Sequence, residues 1–195
     1  MIKRIFAGIS YGVISYLLGV ITTFLLVASK VEQLLAQTGA NSGSLVARAS
    51  RTPEVWQIIM WVFYSEHLVS IKVDSTSALG AVATSGLDQN TFALYGLRFW
   101  NPGLFLIPVV TITLIGFIFS YRTPDLDLKS VVGNGIVMSL GYALFGVIGA
   151  FFSTYAIIGF RAHPDYAGLP IMATIVLVLS LVGGGLVIPL TDSAN

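Results

Sequence analysis

The chain has 195 residues, of which 55% are hydrophobic and only 10% are charged, and its mean hydropathy is +0.87. Soluble domains average about 25% charged residues, so this composition is typical of an integral membrane protein. The net charge of +1 gives no basic field for nucleic acid, and the lack of cysteine excludes disulfides, Cys-ligated zinc and thiol catalysis.

Four stretches of the chain contain no Asp, Glu, Lys, Arg or His. A helix rises about 1.5 Å per residue and the hydrocarbon core is about 30 Å thick, so roughly 20 apolar residues suffice to cross it. We therefore predict an all-α membrane protein, a single membrane domain over residues 1–195. It has a four-helix bundle of transmembrane helices, a short outer interfacial or re-entrant helix and a small loop or hairpin cap. The predicted spans are Ile5–Ser29, Gly103–Tyr121, Val131–Phe160 and Gly168–Leu190.

The first apolar stretch follows Lys3 and Arg4, and a basic start before an apolar run also describes a signal peptide. The apolar part of a signal peptide is usually about 7–15 residues long, whereas this run has 25. We therefore expect an uncleaved signal anchor. The alternative is cleavage near Ala28, which would leave three spans.

The first two spans are joined by the outer segment, residues 30–102, which is too long for a bare loop. Thr52, Pro53 and Glu54 are a typical helix start and predict a short helix at about 53–67. Its apolar run of about ten residues is too short to span, so this helix is interfacial, re-entrant or packed in the bundle. Aromatic side chains favour the membrane interface, where we expect Trp56, Trp61, Tyr64 and Trp100.

Two weak strand patterns follow the short helix. Residues Leu68–Asp74 alternate between apolar and polar side chains, and Phe92–Arg98 is a second candidate. Between them, Ser75–Asn90 is rich in Ser, Thr, Ala and Gly, as expected of a loop. The two segments could pair as a small hairpin on top of the bundle.

The short helix ends in Glu66-His67, the only adjacent acid–imidazole pair in the chain. Such a pair could bind a metal or act in acid–base chemistry at the outer surface, and His163 could meet it in space. The favoured interpretation is a polar cap that ends the helix. We therefore predict no catalytic, cofactor-binding or metal-binding residue and no cofactor, and keep Glu66, His67 and His163 as an alternative outer site.

Small residues recur at helical spacing on two of the predicted spans, a pattern typical of close helix packing. The favoured interpretation is packing within the chain, in which the two stripes could face each other. The alternative is dimerisation, or a helix that slides during transport. The packing residues are Gly8, Gly12, Ser15 and Gly19 in the first span and Gly135, Ser139, Ala143 and Gly146 in the third.

Lysine and arginine in the short flanks of the spans indicate the orientation. With four spans, the N terminus and the loop between the second and third spans lie on one side, and that side has more of these residues. We predict a multi-pass protein of the cell membrane with both termini in the cytoplasm. The flanking residues on that side are Lys3, Arg4, Arg122 and Lys129.

After the first span comes the run Trp61-Val62-Phe63-Tyr64-Ser65-Glu66-His67, then a polar outer segment and three more spans. This arrangement resembles uncharacterised small four-span membrane proteins of haloarchaea. The resemblance covers one short motif and the order of the spans, and it implies no known activity.

The spans lack the charged side chains that handle ions and protons inside membranes, so we predict a protein without enzymatic activity. Its expected role is structural, or that of a partner subunit in a membrane assembly. The expected partners are the lipid bilayer and a membrane protein or a second copy of the chain, and not nucleic acid. One alternative is a transporter or channel for neutral or apolar solutes. A second is a membrane enzyme with an outer-surface site near Glu66 and His67.

Overall fold

The computed structural model describes residues 2–41, 53–75, 102–123, 127–157 and 160–192. Five longer helices, one short helix at the end and three strands make up the described fold. In chain order they are α1 (Ile2–Asn41), α2 (Val55–Glu66), β1 (Ile71–Ser75), a 3₁₀ turn (Pro102–Phe105), α3 (Leu106–Tyr121), α4 (Leu128–Phe152), β2 (Tyr155–Ile157), β3 (Phe160–Pro164), a second 3₁₀ turn (Tyr166–Gly168), α5 (Leu169–Gly185) and α6 (Ile188–Asp192).

Four helical segments are long and apolar enough to cross a membrane, which confirms the predicted all-α, four-span fold. The chain is therefore a multi-pass membrane protein. α1 has 40 residues and is about 60 Å long, roughly twice the thickness of the hydrocarbon core, so it projects beyond the membrane. The four segments are Ile2–Gln33, Gly103–Tyr121, Leu128–Phe152 and Tyr166–Leu190.

The third span ends earlier than predicted, because α4 stops at Phe152 and not at Phe160. Ser153 caps α4, and the apolar run continues into β2 and β3. Tyr155 and Ile157 are of the aromatic and β-branched types that favour strands. An uncharged apolar run looks the same in a span and in a buried strand, so the length of the run misplaced the end of the helix.

The three strands form one antiparallel sheet in the order β1–β3–β2, with Lys72 opposite His163. β1 overlaps the predicted strand Leu68–Asp74 from Ile71 onward, but its partner β3 belongs to the loop between the third and fourth spans. The other predicted strand, Phe92–Arg98, lies outside the described residues, so its pairing with β1 stays a prediction.

The first and third spans run in parallel and lie in close contact through glycine. A Cβ atom on Gly12 would meet the backbone of Met138 and Tyr142, and one on Gly141 would meet the backbone of Ile9. Only glycine permits this approach of the two backbones. The neighbouring stripe residues Gly8 and Gly19 lie against Val137 and Phe63, and Ser15 is buried.

The two predicted stripes do not face each other, which corrects the expectation from the sequence. The stripe of the third span packs on α5: Ser139 Oγ donates a hydrogen bond of 2.7 Å to the carbonyl oxygen of Ala173. Gly135 lies against Ser180, and Gly146 lies against Met172. A different face of α4, the one with Gly141, contacts α1, so small residues serve two interfaces of the third span. Ala143 is half-buried.

Hydrogen bonds also link the spans at the side opposite the sheet. Arg4 Nε donates to Asn134 Oδ1 at 2.9 Å, and Arg4 Nη2 donates to the carbonyl oxygen of Ser130 at 2.6 Å. Asn134 Nδ2 in turn donates to Thr123 Oγ1 at 3.0 Å. Together these bonds hold the start of α1 to the start of α4 and the end of α3.

Candidate functional site

Helix α2 begins at Val55, and its N-cap is Glu54, whose backbone N–H donates to Gln57 Oε1 at 3.0 Å. This N-cap lies two residues after the predicted N-cap Thr52, which is outside the described residues. The α2 side chains from Ile58 to Tyr64 are buried with the exception of Met60, which is half-buried. Of the three alternatives for this helix, the structure therefore gives the one in which it packs against the spans.

Two of the predicted interface aromatics are buried in the protein and do not face lipid. Trp61 is buried, and its Nε1–H donates to the carbonyl oxygen of Ser153 at 2.9 Å. Tyr64 is also buried, and its hydroxyl donates to the carbonyl oxygen of Gly146 at 2.5 Å. Each polar tip has found a backbone acceptor on α4 or just after it, which removes the need for interfacial water. Trp56 is 40% exposed, as expected of an interface residue, and Trp100 lies outside the described residues.

The contacts of α2 move inward along the third span as the helix proceeds. Its first turn reaches Thr154, where Gln57 Nε2 donates to the carbonyl oxygen at 3.2 Å. Its last turn reaches Gly146 and Tyr142, which lie six and ten residues before the end of α4 at Phe152. At about 1.5 Å per residue, these positions are about 9 and 15 Å further along the helix axis. α2 therefore brings its C-terminal residues between the first and third spans.

Helix α2 ends in a Schellman motif with leucine at the left-handed position. Val69 N–H donates to the carbonyl oxygen of Tyr64 at 3.0 Å, and Leu68 N–H donates to that of Ser65 at 3.1 Å. Leu68 has a φ of 60°, and its side chain is 58% exposed. Glycine is the usual residue at this position, because a Cβ atom makes the left-handed conformation unfavourable. The motif turns the chain back from the interior toward β1.

Glu66, the last residue of α2, is buried against the first span with an exposed fraction of 2%. Thr23 Oγ1 lies 3.1 and 3.3 Å from its two carboxyl oxygens and 3.0 Å from the carbonyl oxygen of Gly19. Burial disfavours the carboxylate and raises the pKa of Glu66 to about 8, although the hydrogen bond with Thr23 acts in the opposite direction. A carboxyl group with this pKa is mostly protonated at pH 7.

His67 is fully buried against the third span, and both of its ring nitrogens have partners. Nδ1 lies 2.8 Å from the carbonyl oxygen of Phe63, and a carbonyl only accepts, so Nδ1 has the hydrogen. Nε2 lies 2.7 Å from the hydroxyl of Tyr142. Burial lowers the pKa of His67 to about 4, so the ring is neutral and Nε2 accepts from the tyrosine.

A second hydrogen-bonded chain lies beside these groups. The Tyr64 hydroxyl donates to Gly146, so its oxygen is the acceptor for the hydroxyl of Tyr16 at 3.1 Å. The ring of Tyr16 also meets the rings of Phe63 and Tyr142 edge-on, with centroids 5.1 and 5.3 Å apart. We call Tyr16, Thr23, Tyr64, Glu66, His67 and Tyr142 the buried polar cluster.

His163 belongs to a separate group on the sheet, in which its own side chain is buried. Its Nε2 lies 2.9 Å from Asp74 Oδ2, its Nδ1 lies 2.8 Å from the carbonyl oxygen of Pro164, and Tyr166 stacks on its ring. The ring nitrogens of His67 and His163 are thus engaged with different partners. Among the described residues, no group of three or more His, Asp or Glu side chains is arranged to hold a metal ion.

Sequence reasoning singled out Glu66 and His67 but placed them at the outer surface, and it missed their partners. A signal for two of them is present, because Gly12, Tyr16, Gly19 and Thr23 have the spacing i, i+4, i+7, i+11 of one helix face. The glycines on this face allow another helix to approach. Tyr16 and Thr23 are the polar side chains on this face that such a helix would contact.

The comparison with known proteins adds a family but no activity. The sequence matches the Family of unknown function (DUF7978) over residues 2–190, a range that includes the four spans, α2 and the sheet. No curated protein and no solved structure matches the chain. On the extent of this match, the chain belongs to the DUF7978 family.

Proposed function

We propose that this protein is a non-enzymatic subunit of a membrane assembly in the cell membrane, with a structural or partner role and a four-helix bundle as its framework. The observation behind this proposal is that the polar groups of the buried cluster have their hydrogen-bond partners within the chain. His67 uses both ring nitrogens, and the hydroxyls of Tyr64 and Tyr142 each have a protein partner. A catalytic or solute-binding site needs polar groups that are free to meet a ligand.

The packing of the interior also favours this role over transport of neutral or apolar solutes. Met138, Tyr142 and Met172 are fully buried in one core cluster with the α2 residues Phe63 and Tyr64. Large side chains therefore fill the space between the spans around α2. A transporter of neutral solutes would require these side chains to separate.

The outward faces of the spans are apolar, as contact with lipid or with other membrane helices requires. Leu25 on α1 is 76% exposed, and Phe151 on α4 and Leu140 are similarly open. Lipid tails and the helices of another membrane protein can both contact such apolar side chains. Helices associate in lipid through close packing, so an apolar face does not exclude a protein partner.

Site-specific photo-crosslinking in cells tests the partner role. A photoreactive amino acid is placed at exposed Leu25, Leu140 or Phe151, and at buried Val27 as the matched control. We expect at least one exposed position to give a discrete adduct with a membrane protein or a second copy, and the same protein to co-purify stoichiometrically in mild detergent. A chain that crosslinks only to lipid at all exposed positions and purifies as a monomer would contradict the proposal.

The proposed orientation places both termini in the cytoplasm. Its support is the positive charge on the side opposite the sheet, where Lys3, Arg4, Arg122 and Lys129 flank the spans. Reporter domains that are active only in the cytoplasm or only outside it, fused to either end, check this. Activity of the cytoplasmic reporter at both ends is the expected result, and activity of the external reporter at either end contradicts it.

A further inference from the structure

The hydroxyl of Thr23 lies within hydrogen-bond distance of two acceptor groups, the carbonyl of Gly19 and the carboxyl of Glu66. Its hydroxyl has one hydrogen, but Oγ1 lies 3.0 Å from the carbonyl oxygen of Gly19 and 3.1 and 3.3 Å from the carboxyl oxygens of Glu66. If the threonine hydrogen points to Gly19, none is left for the contact between Thr23 Oγ1 and the carboxyl oxygens of Glu66. That contact then needs a hydrogen on the carboxyl group. A protonated Glu66 donates to Thr23 Oγ1, and Thr23 donates to Gly19, so that both contacts are satisfied.

The charges around Glu66 lead to the same assignment. Its pKa is raised by burial and lowered only by the hydrogen bond with Thr23, without a contribution from a cation. Within the cluster, its neighbours are neutral hydroxyls and an imidazole, those of Tyr16, Tyr64, Tyr142 and His67. On the strands, Lys72 pairs with Asp165 and Asp74 with His163, and Arg161 is exposed. On the helices packed around it, the charged side chains of Lys30 and Glu32 on α1, Glu54 at the start of α2 and Lys129 on α4 are also exposed.

The buried carboxyl also lies at a contact that holds α2 in place. On α1, Glu66 meets Thr23, and one turn further inward Phe63 lies on Gly19, where an added Cβ atom would be 2.9 Å from the phenylalanine ring. A carboxylate at this position would keep only the single hydrogen of Thr23 as a donor. Leaving a charged group buried with so few hydrogen bonds is unfavourable, and movement of the helix end toward water relieves it.

We propose that Glu66 is a proton-binding site between the first and third spans, and that loss of its proton to the outer solution releases the C-terminal end of α2 from α1. The ligand is the proton itself, and the site consists of the Glu66 carboxyl, Thr23 Oγ1 and the carbonyl oxygen of Gly19. Ser70, just before β1, and Lys72, its second residue, are exposed, so the solution lies a few residues from the carboxyl. The proposal does not depend on the identity of a partner subunit.

Infrared spectroscopy of the purified full-length protein detects the proton directly. We expect a band of a protonated carboxyl at pH 7 that disappears with a midpoint near pH 8. The band is absent in Glu66→Gln and unchanged in Glu32→Gln, the matched control, because Glu32 is exposed on α1. Thr23→Val keeps the carboxyl but removes its acceptor, so the band shifts to the frequency of a carboxyl without a hydrogen bond. A wild-type protein without this band at pH 7, or a band that survives in Glu66→Gln, overturns the assignment.

Thiol labelling tests the release of α2, and the natural absence of cysteine makes single-cysteine variants unambiguous. Val27→Cys places a thiol one turn from Thr23 in a position that is 2% exposed under α2. Ser70→Cys, at an exposed position, corrects for the pH dependence of thiol reactivity itself.

The quantity to compare is the ratio of the two labelling rates with a membrane-impermeant reagent. We expect this ratio to rise about tenfold for each pH unit up to the midpoint and then to level off, because the deprotonated fraction of one group rises in this way. In the Glu66→Gln background the ratio stays constant with pH. A ratio that is constant in the wild-type protein, or one that rises equally in Glu66→Gln, overturns the release.

Discussion

At the scale of single residues, Leu68 ends α2 in a backbone conformation that leucine adopts rarely. The left-handed region costs about 1–2 kcal/mol for a residue with a Cβ atom, and the 58% exposed side chain packs too little to offset this. Part of the gain from glycine is lost because glycine is more flexible in the unfolded chain. We expect Leu68→Gly to stabilise the protein by up to about 1 kcal/mol in detergent unfolding experiments.

Two further variants separate this effect from a general response to substitution. Leu68→Val should destabilise, because a β-branched residue fits the left-handed region less well than leucine. Ser70→Gly, at an exposed position with a negative φ, should destabilise by about 0.5–1 kcal/mol. Equal effects of glycine at positions 68 and 70 would contradict the account of Leu68.

The hydrogen bond between Tyr142 and His67 gives a second prediction at this scale. Tyr142→Phe keeps the ring and removes the donor, so Nε2 of the fully buried His67 loses its partner. An unsatisfied buried acceptor costs about 1–3 kcal/mol, which unfolding in detergent measures. Tyr11→Phe is the matched control, because the Tyr11 hydroxyl only accepts a long bond of 3.5 Å from exposed Arg122. Its effect should stay within about 0.5 kcal/mol.

At the scale of the elements, glycine determines how closely the first and third spans approach. Gly12→Ala places a methyl group on the backbone of Met138 and Tyr142, which cannot move aside as a flexible side chain can. We expect a destabilisation of about 1–3 kcal/mol, the usual cost of overpacking. Gly133→Ala is the control within α4, because the nearest atom to its added Cβ is the end of the Arg4 side chain at 3.7 Å. It should be neutral or stabilising, since alanine favours helix.

The elements also show which parts of the fold were accessible from the sequence. The spans could be predicted, because runs such as Gly103–Tyr121 have a length and a composition that only a membrane requires. The end of the third span could not be predicted, since uncharged apolar residues continue through β2. The location of Glu66 was also inaccessible, because a short helix with one apolar face suits a lipid surface and a protein interior equally well. The glycine face of α1 decides between the lipid surface and the protein interior, because it lets α2 pack against α1. The two helices are distant in sequence, so this contact is not visible in the local pattern.

At the scale of the whole molecule, two neutral ionisable groups in the interior couple stability to pH in opposite directions. The pKa of Glu66 is raised from 4.5 to about 8, so the folded protein holds a proton that the unfolded chain releases, and stability falls as pH rises through this range. The pKa of His67 is lowered from 6.5 to about 4, so the folded protein lacks a proton that the unfolded chain binds, and stability rises with pH there. Between pH 4.5 and 6.5 the two slopes cancel.

The free energy of unfolding should therefore be nearly constant between pH 4.5 and 6.5 and then fall until about pH 8. Over that second interval Glu66 acts alone, and one proton corresponds to about 1.4 kcal/mol per pH unit. Asp127 and Asp165, whose pKa values are lowered chiefly by hydrogen bonds from Ser130 and Ala167, affect stability only below their ordinary value of 3.8. They therefore do not change the expected stability between pH 4.5 and 8.

Unfolding of the purified protein in detergent at a series of pH values measures this profile. In Glu66→Gln the fall above pH 6.5 should vanish and the rise from about pH 4 to 6.5 should become visible, because only His67 then titrates in the interior. Glu32→Gln, at an exposed position, should reproduce the wild-type profile. A wild-type protein whose stability rises from pH 4.5 to 6.5 and then stays level up to pH 8 would show that Glu66 is ionised in the folded state. The neutral interior inferred from the contacts of Thr23 and Tyr142 would then be wrong.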